Sequence, residues 1–159
     1  TLEEICENFQ CQIANINSEN QIVISGHKKN IEDITDKLKK ERIKVIPLKV
    51  SGAFHSKLMS NAKIELKNVI LDSKFNDLQS PIISNFDANT KKSGSKIKEA
   101  LIEQIDNTVL WSDSMYSMIN LNNRFIEIGP QVVLSKILKK IDDSLVIKNY
   151  TCYKDIKND

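Results

Sequence analysis

The chain has 159 residues, 40% of them hydrophobic, which is enough for one compact domain or for part of a larger one. Its 23 basic and 21 acidic residues nearly cancel, and the net charge of +2 gives no reason to expect nucleic acid or a membrane surface as a partner. No apolar run approaches the ~18 to 20 residues that span a bilayer, and the first residues lack the charged-then-apolar order of a signal peptide, so a soluble protein is expected.

The chain opens at Thr1 without an initiator Met, straight into Leu2, Ile5, Cys6 and Phe9, spaced like one face of a helix already under way. That opening reads as a cut end. Gln12 to Asn17 and Gln21 to Ser25 read as two short strands, the second (QIVIS) rich in β-branched residues, and Gly26 marks a turn. From Lys28 to about Glu41, Ile31, Ile34, Thr35 and Leu38 form one stripe with Lys and Glu opposite, as an amphipathic helix requires. Ile43 to Val50 reads as a strand. Helix, strand, strand, helix, strand is most of a small α+β subdomain, short of a first strand expected upstream of Thr1.

Ser56 to Leu71 carries Leu58, Met59, Ala62, Leu66 and Ile70 at helical spacing, and Pro81 to Asn85 reads as a compact strand. Lys91 to Ser95 reads as a flexible loop before a helix over Lys96 to Ile105. Trp111 leads a helix through Met118, Arg124 to Ile128 is a strand, Gly129-Pro130 a sharp turn, Val132 to Ile141 a helix and Leu145 to Tyr150 a last strand. This second stretch alternates helix and strand as α/β layers do. The three cysteines, Cys6, Cys11 and Cys152, are odd in number and fit neither a CxxC spacing nor a paired framework, which points to a reducing compartment and away from metal or disulfide roles.

Only two histidines, His27 and His55, can change protonation state near neutral pH. His27 follows Gly26 at a strand-to-helix turn, where the ring is expected to satisfy the helix start. His55 sits in Val50-Ser51-Gly52-Ala53-Phe54-His55-Ser56, where a strand gives way through a small-residue turn to a helix, a site from which a side chain can project into a cleft.

The segment VSGAFHSKLM resembles the histidine motif of acyl-CoA:carrier-protein transacylases, in which a small-small-Phe-His-Ser run precedes Leu-Met. Further segments resemble the same family in order. NSENQIVISGH is similar to its Asn-Ser-Pro-Gly-Gln-strand-Gly-His segment, SPIISNFDA to its Pro-Val-x-Ser-Asn-x-Asp-Ala strand, LIEQIDNTVLWSDSM to its Leu-x-x-Gln-x-x-x-Pro-Val-x-Trp-x-x-Ser stretch, and FIEIGPQVVLSKILKKI to its closing Glu-x-Gly-Pro-x-x-Val-Leu stretch. Together they span Asn17 to Ile141 and match the C-terminal half of a malonyl-CoA:acyl-carrier-protein transacylase.

The resemblance implies an α/β fold in two parts. Residues 1–50 would be a ferredoxin-like α+β subdomain lacking its first strand, and residues 51–159 the C-terminal part of an α/β-hydrolase-like body, with the active site between them. It implies a serine–histidine transfer of malonyl from malonyl-CoA to the phosphopantetheine thiol of acyl carrier protein. The CoA thioester is substrate and no cofactor is needed. His55 would be the base, with its second nitrogen held by a backbone carbonyl at Gln104; Asn17 would line the substrate site, and Phe54 would favour malonyl over its α-methyl homologue. The partners implied are malonyl-CoA, acyl carrier protein and the missing N-terminal half, with no nucleic acid or membrane, in bacterial cytoplasm, plastid or mitochondrion.

The chain departs from the family at the nucleophile, since no Gly-His-Ser-x-Gly-Glu or other GxSxG elbow occurs in it. The family's carboxylate-binding arginine belongs to the same absent stretch, and neither Arg42 nor Arg124 matches it. The chain alone is therefore expected to be inactive. Two rival readings are an acyltransferase domain of a polyketide or fatty-acid megasynthase and a non-catalytic module that binds CoA or carrier protein. Asp87, Asp113, Asp142 and Asp143 read as turn and cap residues, and Met59, Met115 and Met118 as core filling. Lys57, Lys136, Lys139 and Lys140 are candidates for a carrier-protein surface, set against ordinary solvated lysines.

Overall fold

A computed structural model describes residues 1–157 as an α/β arrangement of seven helices and three two-stranded sheets. Helix α1 (Leu2–Asn8) starts with a capping box in which the Thr1 side chain accepts from the Glu4 N–H. Strands β1 (Gln12–Ser18) and β2 (Gln21–Ser25) form an antiparallel hairpin, and α2 (Lys28–Lys40) follows. Cys6, Cys11, Ile34 and Leu38 are buried together, with Leu2, Ile5, Phe9, Ile13, Ile24 and Ile31 packed around them, so the stripe on α2 faces this first core.

The strand expected over Ile43 to Val50 does not form. Pro47 removes a donor from the middle of the run, and no described strand pairs with it, so an extended segment has no ladder to join. Val45 still packs against the first core, whereas Ile46, Leu48 and Val50 stay exposed.

A 3₁₀ turn (Lys57–Met59) leads into α3 (Ser60–Asp72), which buries none of its residues and packs mainly on α4 (Gly94–Gln104). Between these helices lie β3 (Ile82–Ile83) and β4 (Thr90–Lys91), an antiparallel pair. β3 is shorter than the expected Pro81 to Asn85 because the chain turns early: Ser84 closes the hairpin, its N–H donating to Asn89 O at 3.0 Å and its carbonyl accepting from the Ala88 N–H at 2.8 Å. The segment expected to be a flexible loop, Lys91 to Ser95, is held in place. Lys91 pairs with Asp87 at 2.6 Å and the Gly94 N–H donates to Asp77 at 2.8 Å. Gly94 permits this approach, since a Cβ there would stand 2.5 Å from Phe75 O.

The chain closes with α5 (Trp111–Ile119), β5 (Arg124–Ile128), α6 (Leu134–Ile141), β6 (Val146–Tyr150) and α7 (Tyr153–Lys157). β5 and β6 run parallel with α6 as the crossover. Met115, Leu138 and Leu145 form a second core, ringed by Trp111, Met118, Phe125, Ile141 and Ile147. Backbone hydrogen bonds Ile16 N–H to Val109 O and Val109 N–H to Ala14 O, both 2.9 Å, tie β1 to the segment that joins α4 to α5. No helix among the described residues is long and apolar enough to cross a membrane.

Candidate functional site

The turn bearing His55 is built from small residues whose polar groups fasten it on several sides. Ser25 Oγ donates to Phe54 O at 2.8 Å, Ser56 Oγ donates to Ala53 O at 2.6 Å, and the Lys57 N–H donates to Gln12 Oε1 at 2.6 Å. Ser56 is fully buried. Between these anchors His55 adopts φ 58°, the left-handed region, which is uncommon for a residue with a side chain. Such strain persists only where neighbouring bonds over-determine the backbone, as they do here.

The half-buried His55 ring meets the end of α4, where Nδ1 lies 3.0 Å from the main-chain oxygen of Gln104. The last carbonyls of a helix have no partner within it, so this oxygen is free to accept. The Gln104 Nε2 is farther from the ring, at 3.5 Å, and donates to Asn107 O at 3.2 Å. A proton on Nδ1 satisfies the carbonyl and leaves the lone pair on Nε2. That nitrogen can then take a proton from a hydroxyl or thiol.

Around this contact lies a polar cluster that was not singled out in the sequence. Asp106, with its side chain 6% exposed, accepts from Lys63 at 2.9 Å, Ser60 Oγ at 3.1 Å, Asn107 Nδ2 at 2.9 Å and Lys57 at 3.4 Å. Burial opposes its charge, but the Lys63 and Ser60 hydrogen bonds and the two lysine charges outweigh that and hold the carboxyl below its usual range. The only cue in the sequence was Asp106-Asn107 at a helix end, which reads as an ordinary turn. Lys57 reaches Asp106 and Asn107 from the solvent side, at 3.4 and 3.2 Å, with its side chain 59% exposed.

Glu127, in the Glu-x-Gly-Pro stretch, was also missed as an individual residue. Its carboxylate accepts from the N–H groups of Val133 (3.1 Å), Leu134 (2.9 Å) and Ser135 (2.8 Å) and from Ser135 Oγ (2.5 Å), closing the start of α6. Burial raises its pKa, but these four hydrogen bonds prevail and bring it down to about 2.

The remaining candidates divide. Asn17 is buried on β1 at an irregularity of the hairpin, but among the described residues no hydrogen bond joins it to His55, Phe54 or Gln104. Phe54 is 47% exposed, its ring close to Gly52. His27 occupies the N-cap of α2 but its exposed ring makes no capping hydrogen bond, so it does not satisfy the helix start as expected; the backbone carbonyl accepts from the Ile31 N–H at 3.0 Å. Asp87 and Asp142 serve turns, accepting from Asn89 and Ser144. Lys139 and Lys140 reach Asp143 O at 2.5 Å and Gln21 Oε1 at 3.1 Å. Cys6, Cys11 and Cys152 are free thiols, and no group of three His, Cys, Asp or Glu among the described residues could hold a metal.

An open, mainly apolar hollow of about 210 Å³ lies elsewhere, lined by Trp111, Met115, Met118, Phe125, Leu138 and Ile147 among others. None of Asn17, Phe54, His55 or Gln104 lines it, so it is not the surroundings of the histidine.

No family model matches the chain. Individual relatives do. The malonyl CoA-acyl carrier protein transacylase of Bacillus subtilis is 42% identical over 136 residues, covering 84% of this chain and 43% of the relative. The structure of the Synechocystis malonyl-CoA:ACP transacylase superposes with a TM-score of 0.86 at 31% identity, covering 97% of this chain and 54% of that one. A malonyl-transacylase solved in complex with a type II PKS acyl-carrier protein gives a TM-score of 0.92 at 28% identity, over 99% of this chain and 53% of that one. The chain spans about half the length of the curated relatives it matches.

Proposed function

We propose that this chain, a homologue over nearly its whole length of the malonyl CoA-acyl carrier protein transacylases, supplies the general base of a serine–histidine malonyl transfer. The observation that carries the reading is the 3.0 Å contact between His55 Nδ1 and Gln104 O. A ring held in that way presents Nε2 as an acceptor for the proton of a serine hydroxyl.

In this reading Nε2 takes the serine proton as the hydroxyl attacks the malonyl thioester carbonyl of CoA. The imidazolium returns the proton to the departing CoA sulfur, leaving a malonyl ester. In the second half Nε2 takes the proton from the phosphopantetheine thiol of acyl carrier protein, the sulfur attacks the ester carbonyl, and the ring returns the proton to the serine oxygen. Proton count balances in each half, and the ring ends neutral. The Gln104 carbonyl stabilises the imidazolium through Nδ1–H without itself titrating. Such base catalysis is worth ~10²- to 10⁴-fold in rate. The substrate is the CoA thioester, and no resident cofactor enters.

The serine, the oxyanion donors and the cation for the malonyl carboxylate come from a second polypeptide portion, the N-terminal half of the same enzyme. Two features support such a partner. Among the described residues β5 pairs with β6 alone, which leaves its other edge without a ladder partner. Ile126 and Ile128 on β5 are 62% and 77% exposed, and Ile126 lines the apolar hollow. Residues 1–50 are then a partial ferredoxin-like lid and residues 51–159 part of an α/β-hydrolase-like body, with Asn17 and Phe54 facing the acyl group. Free thiols suit a reducing setting, either bacterial cytoplasm or an organelle such as a plastid or mitochondrion.

The test is transfer itself. The complete protein that the gene encodes is incubated with malonyl-CoA and holo acyl carrier protein, and the carrier is weighed by mass spectrometry. Gain of a malonyl group at a rate above the uncatalysed control supports the reading; no gain at any enzyme concentration overturns it.

A further inference from the structure

We propose that Asp106 is the positioning residue that holds His55 and the Gln104 carbonyl in register and thereby sets the tautomer of the ring. The inference rests on His55 acting as the base. Asp106 lies two residues beyond Gln104, just past the end of α4, and its carboxylate bonds to the other side of the contact. Oδ2 accepts from Ser60 Oγ at 3.1 Å and from Lys57 at 3.4 Å, and both residues belong to the turn and helix start that follow His55. One carboxylate thus spans the two chain segments that supply the ring and its acceptor.

Lys63 completes the span. From α3 it donates to Asp106 Oδ1 at 2.9 Å and to Glu103, the residue before Gln104, at 2.7 Å. Asn107 then fixes the helix end, donating to Glu103 O at 2.7 Å and to Asp106 at 2.9 Å, while its carbonyl accepts from Gln104 Nε2. α3 buries no residue of its own, so apolar packing does little to hold it and these charge-assisted bonds carry the alignment. The Lys63 side chain is 19% exposed and that of Asp106 6%, so the pair is shielded from the solvent screening that weakens surface pairs.

The consequence for chemistry follows from distance. At 3.0 Å the Nδ1–H to carbonyl bond is sound; a slip of about half an ångström takes it to the edge of hydrogen bonding. The ring then loses its preference for the proton on Nδ1, and the fraction with a lone pair on Nε2, the form able to act as base, falls. Asp106 touches neither the reacting atoms nor the ring, and acts through the alignment of both.

The test reads the tautomer directly, without any transfer reaction. Long-range ¹H–¹⁵N spectra of the complete protein, with the rings titrated to their neutral form and the His55 signals identified by their loss in His55→Asn, distinguish protonated from unprotonated ring nitrogens, and His27 serves as internal control. The unaltered chain is expected to hold His55 mainly as the Nδ1–H form. Asp106→Asn should raise the ratio of Nε2–H to Nδ1–H by about five- to tenfold, the scale of one hydrogen bond, with His27 unchanged. Ser60→Ala, which removes one bond from the histidine side alone, should shift the ratio in the same direction by less. An unchanged ratio in folded Asp106→Asn, or in Ser60→Ala if the first variant does not fold, overturns the proposal. That result would leave the assignment of His55 as base intact. An inactive complete protein with the expected tautomer would overturn the transfer reading and leave the role of Asp106 standing.

Discussion

The His55 ring is oriented by a main-chain oxygen, that of Gln104, 3.0 Å from Nδ1, and not by a carboxylate. The identity of the side chain at 104 should therefore matter little. Gln104→Met keeps the carbonyl and the volume, and kcat/KM for malonyl transfer by the complete protein is expected to stay within about fivefold of the unaltered value. A loss of two orders of magnitude would mean that the amide, 3.5 Å from the ring, is the group that holds it.

The 159-residue chain alone should not become malonylated. It contains no Gly-x-Ser-x-Gly elbow, and a base without its nucleophile and oxyanion donors forms no ester. Intact mass spectrometry after incubation with malonyl-CoA is expected to show the unmodified mass. A stoichiometric gain on any serine that survives denaturation would place a nucleophile within these residues.

Glu127 gives a pH prediction with a definite sign. Its folded pKa of about 2 lies below the ordinary 4.5, so the stabilisation from its four hydrogen bonds is fully present above about pH 4.5 and is lost as pH falls toward 2. Glu127→Gln removes the charge at the start of α6 and should cost about 1 to 3 kcal/mol at neutral pH. Urea unfolding midpoints measured from pH 7 to pH 3 should fall less steeply for the variant than for the unaltered chain. Parallel curves would show that Glu127 does not drive acid unfolding.

Phe54 immediately precedes His55, and the resemblance assigns it to malonyl preference. If His55 is the base, a rigid ring beside it would fill the space an α-methyl group needs, and one methyl in a shaped pocket is worth ~10- to 200-fold. In the complete protein kcat/KM should favour malonyl-CoA over methylmalonyl-CoA by that order, and Phe54→Ser should narrow the ratio. Equal values for the two thioesters in the unaltered protein would remove Phe54 from the site.

Much of the fold was readable because hydrophobic spacing is local. β2 and β5 fall where the β-branched and alternating runs put them, and α2 buries Ile34 and Leu38 as its stripe requires. Ile43 to Val50 misled because its alternation is strand-like while Pro47 and the lack of a pairing edge are decisive. At the site, the VSGAFHS turn was legible as a place for a projecting side chain. Its left-handed φ at His55 was not, because strain is imposed by distant anchors such as Ser25 and Gln12. Asp106 and Lys63 were illegible for the same reason: they are 43 residues apart, and only the packing of α3 on α4 brings them together.

The role of His55 as the base is tested by two histidine substitutions made in parallel. His55→Asn suits the left-handed backbone, since asparagine tolerates that region, and it removes the basic nitrogen. Malonyl transfer from malonyl-CoA to acyl carrier protein by the complete protein should fall by at least about 100-fold in this variant, with its melting temperature within a few degrees of the unaltered protein. His27→Ala, which removes an exposed ring with no capping bond, should fall by less than about threefold under the same conditions. Equal losses in the two variants, with matched melting curves, would contradict the account.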